Sequence, residues 1–448
     1  MITRKPKCYV LQFMCLLVHA QVVTSFLQIP TGPIDLLQQG KLRNLQEKAK
    51  QIVTSFTPTE YKPHPYLKNP HLQTILGVYI RNEPGVAYID ASKESHLEQL
   101  IPVGKAVIKK TAELMTSKRA LESECDFWTC RERFNTKDGD FFDVDYKFVD
   151  DNSDLSVEKR TSDGMVIIIH GLESNSNSSL CTNMGNAFIE KNMDVACINF
   201  RGCSGQPNDT VLQYHGGFTD DVLHFLNVWR ERNKSKMPLY LSGFSLGSNV
   251  ALKLLGDLSS DAVEKYNIRG AAVSGAPFDL EHHYRQLIDY DFQRIVYAGS
   301  VLKSMKKKVN YLVDRFYGGN PSLAPFDYDL CMNAKTIAEI EDGMIAPLYG
   351  FEDRFDYYRQ SASLPVIDRI AVPTFVLNAA DDPFFNTDKF PWEKDCEVGG
   401  IAPIKLVQTS EGGHIGHLFH LVEGDKIPTS SFMPIELARF VSHVSKSL

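Results

Sequence analysis

The chain is poor in the features that mark a metalloprotein, a nucleic-acid binder or a bilayer-spanning protein. Its nine cysteines form no C-x-x-C pair and no Cys/His spacing of the kind that holds zinc, so no metal is expected. Two of the nine lie in the first fifteen residues, which leaves an odd seven in the body of the chain. Cys125 with Cys130, or Cys197 with Cys203, could pair in an oxidising compartment, and buried free thiols fit equally well. Positive charge is not in surplus. The 48 Lys and Arg against 55 Asp and Glu leave a net charge of −7, which argues against the basic face that phosphate backbones require and so against nucleic acid. The one basic run, "KSMKKK" from Lys303 to Lys308, is shorter than the clusters that recruit membranes and reads as a solvated helix face. Internal repeats and low-complexity tracts are missing as well.

What is present begins with a leader-like segment. Arg4, Lys5 and Lys7 precede an apolar stretch from Tyr9 to Val18, with small residues following at Ala20 and Ser25. That is the layout of a secretory signal peptide, with an apolar core too short to span a bilayer comfortably. Residues 1–25 therefore read as a targeting segment, removed after Ala20 or Ser25, that directs the chain to the secretory pathway, endomembranes or a plastid. A retained signal anchor is the alternative. Asn177, Asn208 and Asn233 each open an N-x-[ST] sequon, which matters only on that route.

Residues 26–130 read as a helix-rich extension with Pro/His punctuation. From 131 to 448 the texture is strand, loop, helix and strand again. "FFDVDYKFVD" alternates like a half-exposed antiparallel strand, whereas "GMVIIIH", "MDVACINF", "LYLSGF", "GAAVSGAP" and "PTFVLNAA" are short continuous apolar runs. Runs of the second kind, separated by helices, indicate a mostly parallel sheet covered on both faces, an α/β architecture. The strand rhythm stops over residues 278–366, where aromatic and charged residues recur at helical spacing. Ligands bind outside the carboxyl ends of parallel strands, so this insertion is expected to cap a site there.

The chemistry is concentrated in "LYLSGFSLGSNVALKLL", residues 239–255. A buried strand passes into a helix through Gly243-Phe244-Ser245-Leu246-Gly247, the context of a nucleophile elbow. Alone the motif is weak, because any tight strand-to-helix turn needs small residues. A serine nucleophile needs a base, and the base needs an acid to orient it, in the chain order Ser, Asp, His on this kind of sheet. "PTFVLNAADDPFF" closes a strand at Asp381-Asp382, and "IKLVQTSEGGHIGHLF" closes the last one at His414. Asp381 is taken as the acid, about three residues past the end of its strand. Asp382 precedes Pro383 and is read as a cap on local backbone N–H groups. Backbone N–H groups of Leu172, in "HGLES", and Leu246 are the candidate oxyanion hole. His417 and His420 read as packing or surface residues.

Seven separated motifs now agree in order: "NPHLQTI" (69–75), "HGLESNSNS" (170–178), "NFRGCSGQPN" (199–208), "YHGGFTDDV" (214–222), "GFSLGSN" (243–249), "NAADDPF" (378–384) and "GGHIGH" (412–417). Together they resemble the α/β-hydrolase branch of plant embryogenesis-associated proteins, fungal medium-chain ethyl ester synthase/esterases and vertebrate abhydrolase-domain lipases. The resemblance implies Ser245, Asp381 and His414 as nucleophile, acid and base. It also implies hydrolysis of short- to medium-chain acyl esters, acylglycerols or phospholipids without a cofactor, and it fits peripheral membrane association. Ser248 stands where glycine is common and Gly216 where alanine is, two departures that bear on chain length rather than on the triad. Acyl transfer to alcohols stays open. The rival from another class is a non-catalytic, hydrolase-like lipid-binding protein; a peptidase has no motif of its own here.

Overall fold

The computed structural model describes residues 36–63, 68–80, 127–150, 160–234, 237–418 and 432–448. The leader over 1–25, Cys125 and His420 lie outside the described residues. Eight strands form one sheet: β1 (Cys130–Asn135), β2 (Phe141–Lys147), β3 (Met165–Ile169), β4 (Asp194–Asn199), β5 (Leu239–Phe244), β6 (Ile268–Ser274), β7 (Thr374–Ala379) and β8 (Ile404–Thr409). Their order across the sheet is β1-β2-β4-β3-β5-β6-β7-β8, antiparallel only at the β1-β2 and β2-β4 edges. The principal helices are α1 (Leu36–Ser55), α2 (Pro70–Ile80), α3 (Ser179–Ile189), α4 (Asp220–Asn233), α5 (Leu246–Leu258), α6 (Leu280–Asp289), α7 (Gly299–Tyr317), α8 (Arg354–Ser361) and α9 (Phe432–Ser447).

The continuous apolar runs are buried on both sides, and the period of two sorts them. Ile167, Ile169, Leu239 and Leu241 pack in one core with Val222 and Phe225 of α4 and Val250 and Leu254 of α5. Val166, Ile168 and Tyr240 pack in another with Met184 and Phe188 of α3 and Leu437 and Val441 of α9. Each fully buried aliphatic side chain of this kind contributes about 1.5–3 kcal/mol.

Strand β2 departs from the half-exposed reading: six of its seven residues are buried. Phe142, Val144 and Tyr146 face one core, while its carboxylates are covered by ionic partners from the edge strand. Arg131 Nε donates to Asp145 at 2.7 Å and Arg133 Nε to Asp143 at 2.9 Å. Ser176 Oγ and Asn199 Nδ2 complete the shell of Asp145. Paired in this way, the aspartates avoid the cost of an unsatisfied buried charge.

The described parts of the N-terminal extension are built into the same core. Phe56 packs edge-on against Phe375 of β7 and Phe440 of α9, and Gln46 of α1 donates to the carbonyls of Asp368 and Ile370. Cys197 and Cys203 are free thiols, so that suggested disulfide is not formed, and the other suggested pair involves Cys125, outside the described residues. Asn208 and Asn233 are buried, and of the three sequons only Asn177 is exposed.

Between β6 and β7 the chain leaves the sheet and builds α6, α7, α8 and several short turns around a core of their own that includes Val309, Leu312, Met344 and Tyr358. The basic run on α7 is not wholly solvated: Lys308 turns inward and donates to Glu173 at 2.7 Å. No described helix is long and apolar enough to cross a membrane.

Candidate active site

Ser245 stands between β5 and α5 with φ 54° and ψ −128°, a conformation that costs a non-glycine residue on the order of 1–3 kcal/mol. Close approach explains the flanking glycines. A Cβ on Gly247 would sit 2.1 Å from the Ile169 carbonyl oxygen, and one on Gly243 would sit 2.6 Å from that of Gly247. The turn therefore pinches α5 against β3 and lifts the serine above the carboxyl ends of the strands. Ser248, where glycine is common, is buried and donates to two main-chain carbonyls, those of Ser274 at the end of β6 (2.6 Å) and of Gly243 (3.0 Å).

His414 lies in the loop after β8, with Nε2 2.9 Å from Ser245 Oγ and Nδ1 2.7 Å from Asp382 Oδ2. A carboxylate can only accept, so Nδ1 carries the proton and Nε2 is free to accept from the serine. The ring is held from three sides. Phe384 stacks on it at 4.3 Å, Phe385 meets it edge-on at 4.8 Å, and its backbone N–H donates to Thr74 Oγ1 of α2.

The carboxylate that meets His414 is thus that of Asp382 and not of Asp381, a correction of one residue. The local reading of Asp382 was incomplete rather than mistaken. Its Oδ1 does cap the backbone N–H groups of Phe384 and Phe385, at 2.7 and 3.2 Å, while its other oxygen holds the imidazole. Asp381 turns instead to the histidine loop, where its Oδ1 accepts from the Gly413 N–H at 2.8 Å. Burial pushes its carboxyl up to about 6 against the pull of the Gly413 and Gly412 N–H donors.

Leu172 and Leu246 both line the cavity beside Ser245. Neither backbone N–H meets an acceptor among the described residues, as an oxyanion hole requires. The Leu172 loop is clamped from the cap. Glu173, at φ 54°, donates its N–H to Tyr214 Oη, and its carboxylate accepts from Ser304 Oγ (2.5 Å) and Lys308 Nζ (2.7 Å) of α7. His170, just before the loop, is fully buried, and burial lowers its pKa to about 4, so it stays neutral and bridges Gly171 O and the Phe200 N–H. Asn249 ties the elbow helix to the cap, donating to Gly216 O and Ser361 O.

The cavity over Ser245 measures about 330 Å³ and is walled mostly by apolar side chains of the cap, Leu287, Met305 and Ile337 among them. Among the cap aromatics, Tyr284 lines the cavity. Tyr290 and Phe292 are exposed, and Tyr297 packs behind Phe384. Gly216 is open to Tyr357, whose hydroxyl accepts from its N–H at 2.8 Å and occupies the space an alanine methyl would need. No group of three or more His, Cys, Asp or Glu side chains among the described residues is placed to hold a metal. His417 bonds Thr409 Oγ1 and packs on Tyr61. Thr74, Glu173 and Phe384 were not singled out in the sequence. All three lie inside quoted motifs, the only signal that pointed to them.

With the geometry established, the chain can be compared with known proteins. The serine aminopeptidase S33 family matches residues 160–345, a stretch that includes Ser245 but stops short of Asp382 and His414. The YheT protein of Escherichia coli is 28% identical over 304 residues, covering 67% of this chain and 82% of that one. Monoacylglycerol lipase of Saccharomyces cerevisiae is 27% identical over 56% of this chain, which spans about half (54%) of that relative. Human phospholipase ABHD3 is 25% identical over 69% of this chain and 71% of its own. The sheet order and the strained serine between β5 and α5 give the chain an α/β-hydrolase fold, and its sequence is similar to those of proteins named as esterases and lipases.

Proposed function

We propose that the protein is a serine carboxylic-ester hydrolase that cleaves acyl esters or acylglycerols of short to medium chain. The observation that carries this reading is the unbroken line Ser245 Oγ, His414 Nε2, His414 Nδ1, Asp382 Oδ2 at the floor of an apolar cavity. Ser245 attacks the ester carbonyl while His414 takes its proton. Asp382 holds the imidazole tautomer and stabilises the imidazolium. The oxyanion meets the N–H groups of Leu172 and Leu246. His414 returns the proton to the leaving alcohol, and water then releases the acid by the same steps in reverse. An alcohol in place of water gives transesterification. Relatives named as a lipase and a phospholipase support a lipid-like substrate. The capped apolar cavity supports the same reading, because it shields the acyl-enzyme from bulk water.

The test is a panel of p-nitrophenyl esters and glycerolipids of graded chain length, run beside labelling with a fluorophosphonate. Wild type should hydrolyse members of the panel and label. Ser245→Ala should keep its thermal transition while losing labelling and activity by a factor on the order of 10⁶. A wild-type protein that binds acyl chains but neither labels nor turns over would replace this reading with that of a lipid-binding protein. The leader is proposed as a targeting segment, and a reporter fused to residues 1–30 that stays in the cytosol would rule it out.

A further inference from the structure

The cap wall of the cavity is aliphatic and aromatic except at Glu341, its one ionisable carboxyl. This side chain opens a five-residue π-helical turn, Glu341–Ile345, a distortion that recurs at functional sites because it displaces the backbone from regular packing. Glu341 is only 6% exposed. Its Oε2 accepts from the Tyr358 hydroxyl, while its Oε1 has no hydrogen-bond partner among the described residues and belongs to a side chain that lines the cavity. Tyr284 stands beside it, its ring 5.7 Å from that of Tyr358, and its hydroxyl too has no partner among the described residues. Arg354, the nearest basic group, is paired with Asp342 at 2.8 Å and does not neutralise Glu341.

Two polar atoms on side chains that line a mostly apolar chamber are unexplained if the ligand is a plain hydrocarbon chain. Such a chain would strip water from both and return nothing. Burial pushes the Glu341 carboxyl up to about 8, so at neutral pH it is mostly protonated and can donate as well as accept. The complementary group is one that also does both. We propose that the part of the substrate lying under the cap bears a hydroxyl, received by Glu341 and Tyr284, and that the protein selects hydroxyl-bearing esters over their plain analogues. This rests on the esterase reading and sharpens it to a substrate class. The hydroxyl could sit on the acyl chain or on the alcohol, as in a partial glyceride.

The experiment uses the full chain and matched substrate pairs. One arm compares p-nitrophenyl 8-hydroxyoctanoate with p-nitrophenyl octanoate, and the other compares 1-monooctanoylglycerol with propyl octanoate. Each selectivity is a ratio of kcat/KM within one protein, so a general loss of rate cancels. Wild type should favour the hydroxylated member by about tenfold or more in one arm, and that arm identifies the source. Glu341→Leu should bring the ratio to near one, whereas Glu341→Gln, which keeps a donor and an acceptor, should retain most of it. Should Glu341→Leu fail to fold, Tyr284→Phe supplies the same comparison, with a ratio lowered several-fold. A wild-type ratio near one in both arms, or a ratio that survives the loss of Glu341 or of the Tyr284 hydroxyl, overturns the proposal. So does a stronger preference for 8-aminooctanoate over 8-hydroxyoctanoate, which would make the site a cation receptor. If Ser245 labels with fluorophosphonate and plain esters turn over without selectivity, this inference alone has failed. If no ester turns over, the esterase reading has failed with it.

Discussion

The floor and the roof of this cavity are built by different means. The floor is backbone architecture: the parallel strands β5, β7 and β8 of one sheet end on the same side, and the loops that follow them bring Ser245, Asp382 and His414 together. Strain at Ser245 and the two close-packed glycines are requirements of the main chain, and they leave narrow choices of residue. The roof, between β6 and β7, is held by side chains: a small apolar core, tyrosine hydroxyls, and single polar links to the floor through Glu173, Lys308 and Asn249. A site assembled from both places its reaction where geometry is rigid and its selectivity where packing can vary.

The sharpest way to break this contrast lies at the paired aspartates. Asp382→Asn should lower kcat on the order of 10⁴-fold, because the amide favours the wrong imidazole tautomer, with the cavity otherwise intact. Asp381→Asn should cost less than about tenfold, since its carboxyl bonds only backbone of the histidine loop. Measuring kcat for both variants decides it: a dead Asp381→Asn beside an active Asp382→Asn would restore the register read from the sequence.

Next comes the link between roof and floor. Glu173→Ala removes both links from α7 to the loop that carries Leu172, and Lys308→Met removes the ionic one and leaves that of Ser304. Each should reduce kcat by about tenfold with little change in KM, less than the 10²–10³ that follows outright loss of an oxyanion donor. A change confined to KM would show that the clamp only shapes the cavity.

A change within the roof should leave the chemistry alone. Leu287→Trp, filling cavity space, should lower kcat/KM for the longest accepted acyl chain by about tenfold or more, while hydrolysis of p-nitrophenyl acetate stays within about threefold. Equal losses on both substrates would mean that the cap is needed for folding rather than for selection.

The smallest effect concerns stability and pH. Asp381 has a folded-state pKa raised to about 6 by burial, above the ordinary 3.8. Its neutral form is therefore the one the fold favours, and that contribution is present below about 3.8 and lost as pH rises through about 6. Because the group is partly solvated, the effect is modest. Asp381→Asn should melt up to about 2–4 °C above wild type at pH 8, with the difference shrinking towards pH 5. A difference that does not change between pH 5 and pH 8 would show that the carboxyl is not perturbed.

How much of this was legible in the residues follows the same division. The strands, the elbow and the order of the triad could be read because each leaves a local pattern: a continuous apolar run, glycines two residues either side of a serine, a histidine after the last strand. The acid was placed one residue early because both aspartates leave the same strand end, and nothing local says which carboxylate meets a loop that lies some thirty residues on. The inward turn of Lys308 inside a basic run was equally hidden, since its partner Glu173 is 135 positions away.

Sequence alone therefore determined the α/β class, the place of Ser245 at a tight strand-to-helix turn and that of His414 after the last strand, because a buried parallel strand and a strained turn tolerate few residue types wherever they occur. Tertiary structure alone decided which aspartate orients His414, which cap aromatics reach the cavity and that Glu341 lines its wall. Those outcomes depend on the meeting of side chains far apart in the chain, and a charged or aromatic residue carries no local mark of the partner it will meet.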